Sequence, residues 1–448
     1  MKSLIILTLL SVLLFSIGCG SSDTITPLPT VTPVITATAT PVITPTVGGS
    51  DAYMRKGPYL IPAGDNIGMT VIWQAQTNIS ADATIEWGSN PNSYGTAYKV
   101  TETGSGTDEH QFIYPIKNLP VKSRTYYRVT IFEATGGKAH KYEGFFMTPP
   151  VDSSTSLTFY AYGDTRDNPS LHNNILQWIM KDTKANNLTD DRQTFLLHAG
   201  DFVHRGLNEQ YWDIDYFQLN SNQATSELLK TIPVIACVGN HECYELGSGF
   251  HYDPALYRKY WPYEFYKTSK FYYSFDYGPG HFISLDVYTS PYDPNSDQYK
   301  WLEEELKKSS KPWTIVLFHD PPYDAGEGAE PEVTSGDGYA SKKDIRTYLC
   351  PLFEKYGIKI VLNGHQHYYS RSEVPLSTDP SKKITYLVLG GGGAPLVKPD
   401  PNAAYVVIAK EDYHFARIEI TGNQLQTTVM QVVDGVQTPN ILDQFTIQ

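Results

Sequence analysis

Apolar and polar positions change rhythm along the chain. From about Met54 to Phe145 they alternate: Met69, Val71 and Trp73 share one side, as do Ala83, Ile85 and Trp87, and later Tyr127, Val129 and Ile131. A period of two is that of a half-buried strand, and the Gly, Asn, Asp and Pro clusters between the runs supply turns. The pattern predicts a β-sandwich over residues 52–150, closed by Pro149-Pro150. Beyond it, short apolar runs alternate with helix-length stretches. The runs are Leu157–Tyr162, Thr194–Ala199, Ile232–Val238, Trp313–Phe318 and Ile358–Leu362, and helices are expected at about Leu171–Lys184, Ser296–Lys308 and Ser341–Tyr356. This grammar predicts an α/β domain over 151–448.

Each apolar run stops at polar residues: Gly163-Asp164, Gly200-Asp201, Gly239-Asn240-His241-Glu242, His319, and Asn363-Gly364-His365-Gln366-His367. Open α/β sheets bind ligands beyond the carboxyl ends of their strands, so these residues are the candidate site.

The N-terminus has a different texture. Leu4–Ile17 is apolar, follows Lys2 and is too short to span a bilayer, which takes about 20 residues, so residues 1–19 read as an export signal. Cys19 after Ser16-Ile17-Gly18 is similar to the lipid-modified cysteine of a bacterial lipoprotein, although Ser16 stands where Leu is usual. Residues 24–47 contain only Thr, Pro, Val, Ile, Ala and Leu, and the whole of 20–51 reads as an extended linker that holds a folded body away from a surface. The expected location is outside the cytoplasm, lipid-anchored at the cell surface or secreted. A membrane partner enters only through that N-terminal anchor.

Composition narrows the partners further. Among 448 residues, 35 are Lys or Arg and 48 are Asp or Glu, a formal charge of −13, which argues against a nucleic-acid coat or an anionic membrane surface. Cys237, Cys243 and Cys350 permit at most one internal disulfide, so burial has to hold the fold together. No cysteine lies in the alternating region. An immunoglobulin-type disulfide is thereby excluded, and a fibronectin type III-like sandwich fits better.

Asp164, Asp201, Asn240, His319, His365 and His367 offer carboxylate, amide and imidazole donors without thiolates, a mixture suited to Zn, Mn or Fe. Two metal ions about 3.5–4 Å apart need a donor that reaches both, and a carboxylate such as Asp201 does so where a neutral imidazole does not. Singly, each piece could be a turn, a helix cap or a core histidine. Their conjunction at successive strand ends points to a site.

The motif series, followed by His365-Gln366-His367-Tyr368-Tyr369-Ser370-Arg371 and the run Gly390–Gly393, resembles the calcineurin-like metallophosphoesterases. With a sandwich in front, it resembles more narrowly the purple acid phosphatases. The resemblance implies a catalytic domain of two β-sheets in a sandwich flanked by helices, and two metal ions. One ion would be held by Asp164, Asp201 and His367, the other by Asp201, Asn240, His319 and His365. His241 would stand beside the substrate with Glu242 as its acidic neighbour. Two positions depart from the pattern: His204 stands where the purple enzymes have a metal-binding tyrosine, and Arg166 stands where many relatives have a histidine. His204 is therefore expected as the remaining ligand of the first ion. Arg166 is expected either to pair with Asp167 or to grip a phosphoryl oxygen.

The implied activity is metal-dependent hydrolysis of phosphate esters, most simply monoesters, with a metal-held hydroxide as nucleophile and His241, kept protonated by Glu242, as acid. A phosphodiesterase or nucleotidase would use the same centre. A non-catalytic surface-binding lipoprotein is the contrasting reading. The aromatic segments Phe250–Tyr273 and Tyr288–Tyr292 are expected to wall the cleft or to fill the core.

Overall fold

A computed structural model describes residues 52–448 apart from 65–66, 107–108, 186–193, 218–222, 246–248, 267–269, 327–337 and 434–439. The expected signal (1–19) and linker (20–51) lie outside the described residues. Among those described, no helix is long and apolar enough to cross a membrane, and Cys237, Cys243 and Cys350 are free and buried.

The alternating region forms two four-stranded antiparallel sheets. One orders Met54–Pro62, Met69–Gln76, Glu109–Ile116 and Gly104–Gly106; the other orders Tyr98–Thr101, Ile79–Gly88, Arg124–Glu133 and Ala139–Met147. Trp73 and Phe112 stack at 5.3 Å between them, beside buried Val71, Ile85, Tyr127 and Val129. This is the fibronectin type III-like sandwich the rhythm predicts. Met69–Gln76 departs from it, because Thr70, Ile72 and Gln74 are buried as well. Its second face is covered by the following domain, whose core takes in Tyr59, Ile61 and Ile72, and the Tyr59 hydroxyl donates to the Tyr260 carbonyl at 3.0 Å.

Charge is buried at the same seam. The Lys56 side chain is fully enclosed, and its Nζ lies 2.8 Å from Gln74 Oε1, 2.8 Å from Glu209 Oε1 and 2.6 Å from Asp213 Oδ1. Arg55 meets Asp213 Oδ2 at 2.7 Å and Glu109 Oε2 at 3.0 Å. A charge removed from water is tolerated only when it is paired, which this cluster achieves.

The α/β domain is built on two larger sheets. The first orders Val234–Ala236, Leu196–His198, Ser156–Tyr162, His414–Thr421, Gln424–Gln431 and Ile441–Ile447, its first three strands parallel. The second orders Tyr273–Tyr277, Gly280–Ser284, Trp313–Leu317, Ile360–Asn363, Lys383–Leu389, Tyr369–Pro375 and Val406–Lys410. Phe159 of the first sheet and Phe195, just before its strand Leu196–His198, meet Phe282 of the second at 5.4 and 5.1 Å, edge to face, which fixes the sheets against each other. Helices at Pro169–Ala185 and Asp297–Lys308 agree with the expected stretches, the latter capped by Ser296 Oγ accepting the Tyr299 N–H. The helix expected over Ser341–Tyr356 is broken into Lys342–Asp344, a wider turn at Ile345–Leu349, and Cys350–Lys355. Pro351 explains the break: it lacks an N–H and its ring clashes with the preceding turn, and a π-turn opens room for it.

Candidate metal centre

The five motifs lie beyond the carboxyl ends of Ser156–Tyr162, Leu196–His198, Val234–Ala236, Trp313–Leu317 and Ile360–Asn363, and the two sheets bring them together. The backbone turns sharply at the functional residues. Asp164, Asp201 and His365 have φ of 59°, 56° and 68°, left-handed values that non-glycine residues adopt at a cost and that cluster at functional sites. Their flanking glycines are required by close approach: a Cβ on Gly239 would lie 2.3 Å from Asp201 Oδ1, and one on Gly364 would lie 2.6 Å from Asp164 Oδ2. The Gly390–Gly393 run packs on the same loop, where the Ala394 N–H donates to the Asp164 carbonyl at 2.9 Å.

Asp164, Asp201 and His319 are buried, and their ligating atoms lie within 4.8 Å of one another. His319 Nε2 is 3.2 Å from Asp201 Oδ1 and 3.9 Å from Asp164 Oδ1. His367 Nε2 is 3.6 Å from Asp164 Oδ1, and the His365 ring lies 5.3 Å from that of His319. Asp164 also accepts the His365 N–H at 3.0 Å, and Asp201 Oδ1 accepts the His241 N–H at 3.0 Å. Three imidazoles are aimed by the same device. His319 Nδ1 bonds the Ala199 carbonyl at 2.5 Å, His367 Nδ1 that of Pro395 at 2.9 Å, and His241 Nδ1 that of His204 at 2.8 Å. An Nδ1–H held by a carbonyl leaves Nε2 as a free lone pair, the tautomer a metal needs.

A further atom fits a cation. Asn240 Oδ1 is buried and, among the described residues, has no hydrogen-bond partner. Buried polar atoms are normally satisfied, so an unsatisfied one beside the buried carboxylates suits a positive charge there. The electrostatics agree. Burial would push the His319 imidazole down, but Asp201 and Asp164 outweigh it and raise it to about 10. Burial pushes the Asp164 carboxyl up, whereas at Asp201 it is outweighed by His319, His241 and Arg166, which hold that carboxyl low. The cluster attracts positive charge, and without a metal it draws a proton onto His319.

Glu242 has a different task from the one expected. Its carboxylate accepts backbone N–H groups of Asp201 at 3.0 Å, Phe202 at 2.8 Å and Gly239 at 2.7 Å, and so clasps two motif loops together rather than facing the His241 ring. Burial lowers His241 to about 4 against the upward pull of Asp201. Its Nε2 lies 3.9 Å from Asp201 Oδ2, beside the cluster as expected. The His204 ring points elsewhere: its Nδ1 is 2.7 Å from Asp167 Oδ1. Arg166 bonds Asp167, the first of its two expected partners, while its Nη2 lies 3.2 Å from His367 Nε2 and its Nε 3.6 Å from Asp201 Oδ2.

The aromatic segments divide. Tyr257, Tyr260, Trp261, Tyr263 and Tyr273 are buried core, whereas Tyr244, Phe250 and Tyr252 step outward from His241 at ring spacings of 5.2, 5.9 and 5.3 Å. Sequence reasoning missed Asp215, whose Oδ2 accepts the His204 N–H at 2.9 Å, and Trp212, whose Nε1–H donates to the Gly206 carbonyl at 2.8 Å. Both sit at Glu209–Tyr216, a stretch with no helical apolar period to flag it.

Comparison with known proteins places the motifs in context. Residues 157–369 match the model for calcineurin-like phosphoesterases. The chain is 28% identical over 353 residues to a purple acid phosphatase of Glycine max, covering 75% of this chain and 68% of that protein. It is 28% identical over 332 residues to purple acid phosphatase 21 of Arabidopsis thaliana, covering 70% and 67%. In fold it is similar to the purple acid phosphatase PPD1 of yellow lupin (Lupinus luteus) seeds, with a TM-score of 0.66 at 21% identity over 88% of this chain and 74% of that one. It is also similar to PhoD, with a TM-score of 0.62 at 14% identity over 90% and 92%.

Proposed function

We propose that this metal-dependent phosphatase, whose residues 157–369 match calcineurin-like phosphoesterases and which is similar to purple acid phosphatases, is an exported phosphomonoesterase with two metal ions. The observation that carries the proposal is the buried Asp164, Asp201 and His319 cluster with the unsatisfied Asn240 Oδ1 alongside it. Export is supported by the apolar run Leu4–Ile17 behind Lys2.

Asp201, Asn240, His319 and His365 would hold one ion, and Asp164, Asp201 and His367 the other. Bound cations of the Fe, Zn or Mn type supply Lewis acidity, which neutralises phosphoryl oxygens and lowers the pKa of water to about 7. The chain's own residues do the rest. Asp201 stands between both donor sets. The carbonyls of Ala199 and Pro395 keep the His319 and His367 rings in the ligating tautomer. His241 borders the cluster and, when cationic, can donate a proton to a leaving alkoxide. Arg166 carries a forked cation able to meet a phosphoryl oxygen.

Asp201→Ala is expected to abolish hydrolysis of p-nitrophenyl phosphate and to reduce metal content, with the circular dichroism spectrum retained. Normal turnover by a folded Asp201→Ala protein would remove the metal mechanism. Comparing that ester with its bis-ester distinguishes a monoesterase from a diesterase on the same centre.

A further inference from the structure

The geometry points to Arg166 as a resident cation of the first ion position, one that a metal must displace before the guanidinium can serve the substrate. The inference rests on the two-ion reading above and sets the order in which the site is assembled. Of the second donor set, Asp201, Asn240, His319 and His365, only the shared Asp201 is faced by Arg166, and among the described residues no Arg or Lys hydrogen-bonds Asn240, His319 or His365. The first set is occupied by its own chain. Arg166 Nη2 uses His367 Nε2 at 3.2 Å, and Arg166 Nε faces Asp201 Oδ2 at 3.6 Å. Asp167 fixes this arrangement from behind: it bonds Arg166, and its Oδ1 also draws His204 Nδ1 to 2.7 Å. The Arg166 side chain is only 13% exposed, and Asp167 sits at a left-handed φ of 70°, so the loop geometry is specified.

A histidine Nε2 has one lone pair. It can accept from a guanidinium N–H or bind a metal, but not both, and arginine stays charged at any working pH. Filling the first position therefore releases Arg166 from His367. The freed fork is then available to a phosphoryl oxygen, and binding free energies are reciprocal, so phosphate that engages Arg166 must tighten the first-position ion. The second position is expected to fill first and tightly, and the first to fill weakly until phosphate is present. A phosphatase so built completes its metal centre only when substrate is at hand.

The test is Mn²⁺ binding to the chelator-treated full chain, followed by calorimetry with metal analysis, with and without inorganic phosphate. Wild type is expected to take one tight ion and one weaker ion, the weaker tightened about tenfold by phosphate. In Arg166→Ala, and in Arg166→Gln, which keeps a polar but shorter and uncharged side chain, the weaker ion is expected to tighten about tenfold and to lose its response to phosphate. Two ions in every protein, with the weaker unchanged or weakened by both substitutions, would overturn the role of Arg166 and leave the two-ion reading standing. A single ion in wild type and in both variants would overturn the two-ion reading itself.

Discussion

At the scale of single residues, the site is ordered by lone pairs and backbone turns rather than by proximity alone. His241 shows the consequence. Burial lowers it to about 4, so the cationic form that can protonate a leaving alkoxide is present below that pH and is lost as pH rises through it. The advantage of wild type over His241→Ala on alkyl phosphates is therefore expected to be greatest near pH 4 and to shrink about tenfold per pH unit above it, while aryl esters with good leaving groups respond weakly. A rate ratio for alkyl phosphates that stays constant from pH 4 to 7 would exclude proton donation by this ring. The identity of the residues gathered here was readable in the sequence, because strand-end spacing names them. Their orientation was not. Nothing local distinguishes a Glu242 that faces His241 from one that accepts three N–H groups, since both belong to the same Gly239-Asn240-His241-Glu242 turn. His204 likewise follows Asp201 at ligand spacing, yet Asp167 competes for it across the loop.

At the scale of elements, the strands that end in ligands were legible because each is a short apolar run punctuated by Gly and a polar residue. Glu209–Tyr216 was invisible, and it connects the two domains. Its Glu209 and Asp213 bind Lys56 of the sandwich, while its Trp212 and Asp215 hold the loop that carries His204 and Gly206. A π-turn at Trp212–Tyr216 makes this double engagement possible by rotating successive side chains to faces an ordinary helix would not offer. Lys56→Met removes the cation and leaves Glu209 and Asp213 carboxylates enclosed with fewer partners. The expected loss is about 3 kcal/mol, read by urea denaturation, with Lys56→Arg recovering part of it. A change below about 0.5 kcal/mol would show that Arg55 and Lys259, whose Nζ lies 3.2 Å from Glu209 Oε2, alone neutralise the seam.

At the scale of the whole molecule, buried histidines set the response to acid. Burial lowers His172 to about 3 and His414 to about 4, from an ordinary value of 6.5. Between 6.5 and those values the unfolded chain takes up protons that the folded one refuses, so the stability these two histidines contribute is full above about pH 6.5 and falls as pH drops toward 4. For His414, whose Nδ1 bonds the Asp412 carbonyl at 2.8 Å, the loss amounts to roughly 3 kcal/mol. The melting temperature is expected to decline steadily below pH 6.5, with a shallower decline in His414→Asn; identical slopes would assign the acid sensitivity to other groups. The overall division into sandwich and α/β domain was legible from periodicity. The burial of both faces of Met69–Gln76 was not, because Gln74 on its second face meets residues such as Tyr260, nearly two hundred positions away.

That shared face bears on how the protein can be re-engineered. Tyr59, Ile61 and Ile72 are supplied by one domain to the interior of the other, so the sandwich is not an interchangeable cassette. A catalytic fragment cut out at the proline pair would carry an oily scar where those side chains had been, and a chimera with a foreign leading module would need its partner surface redesigned at the same time.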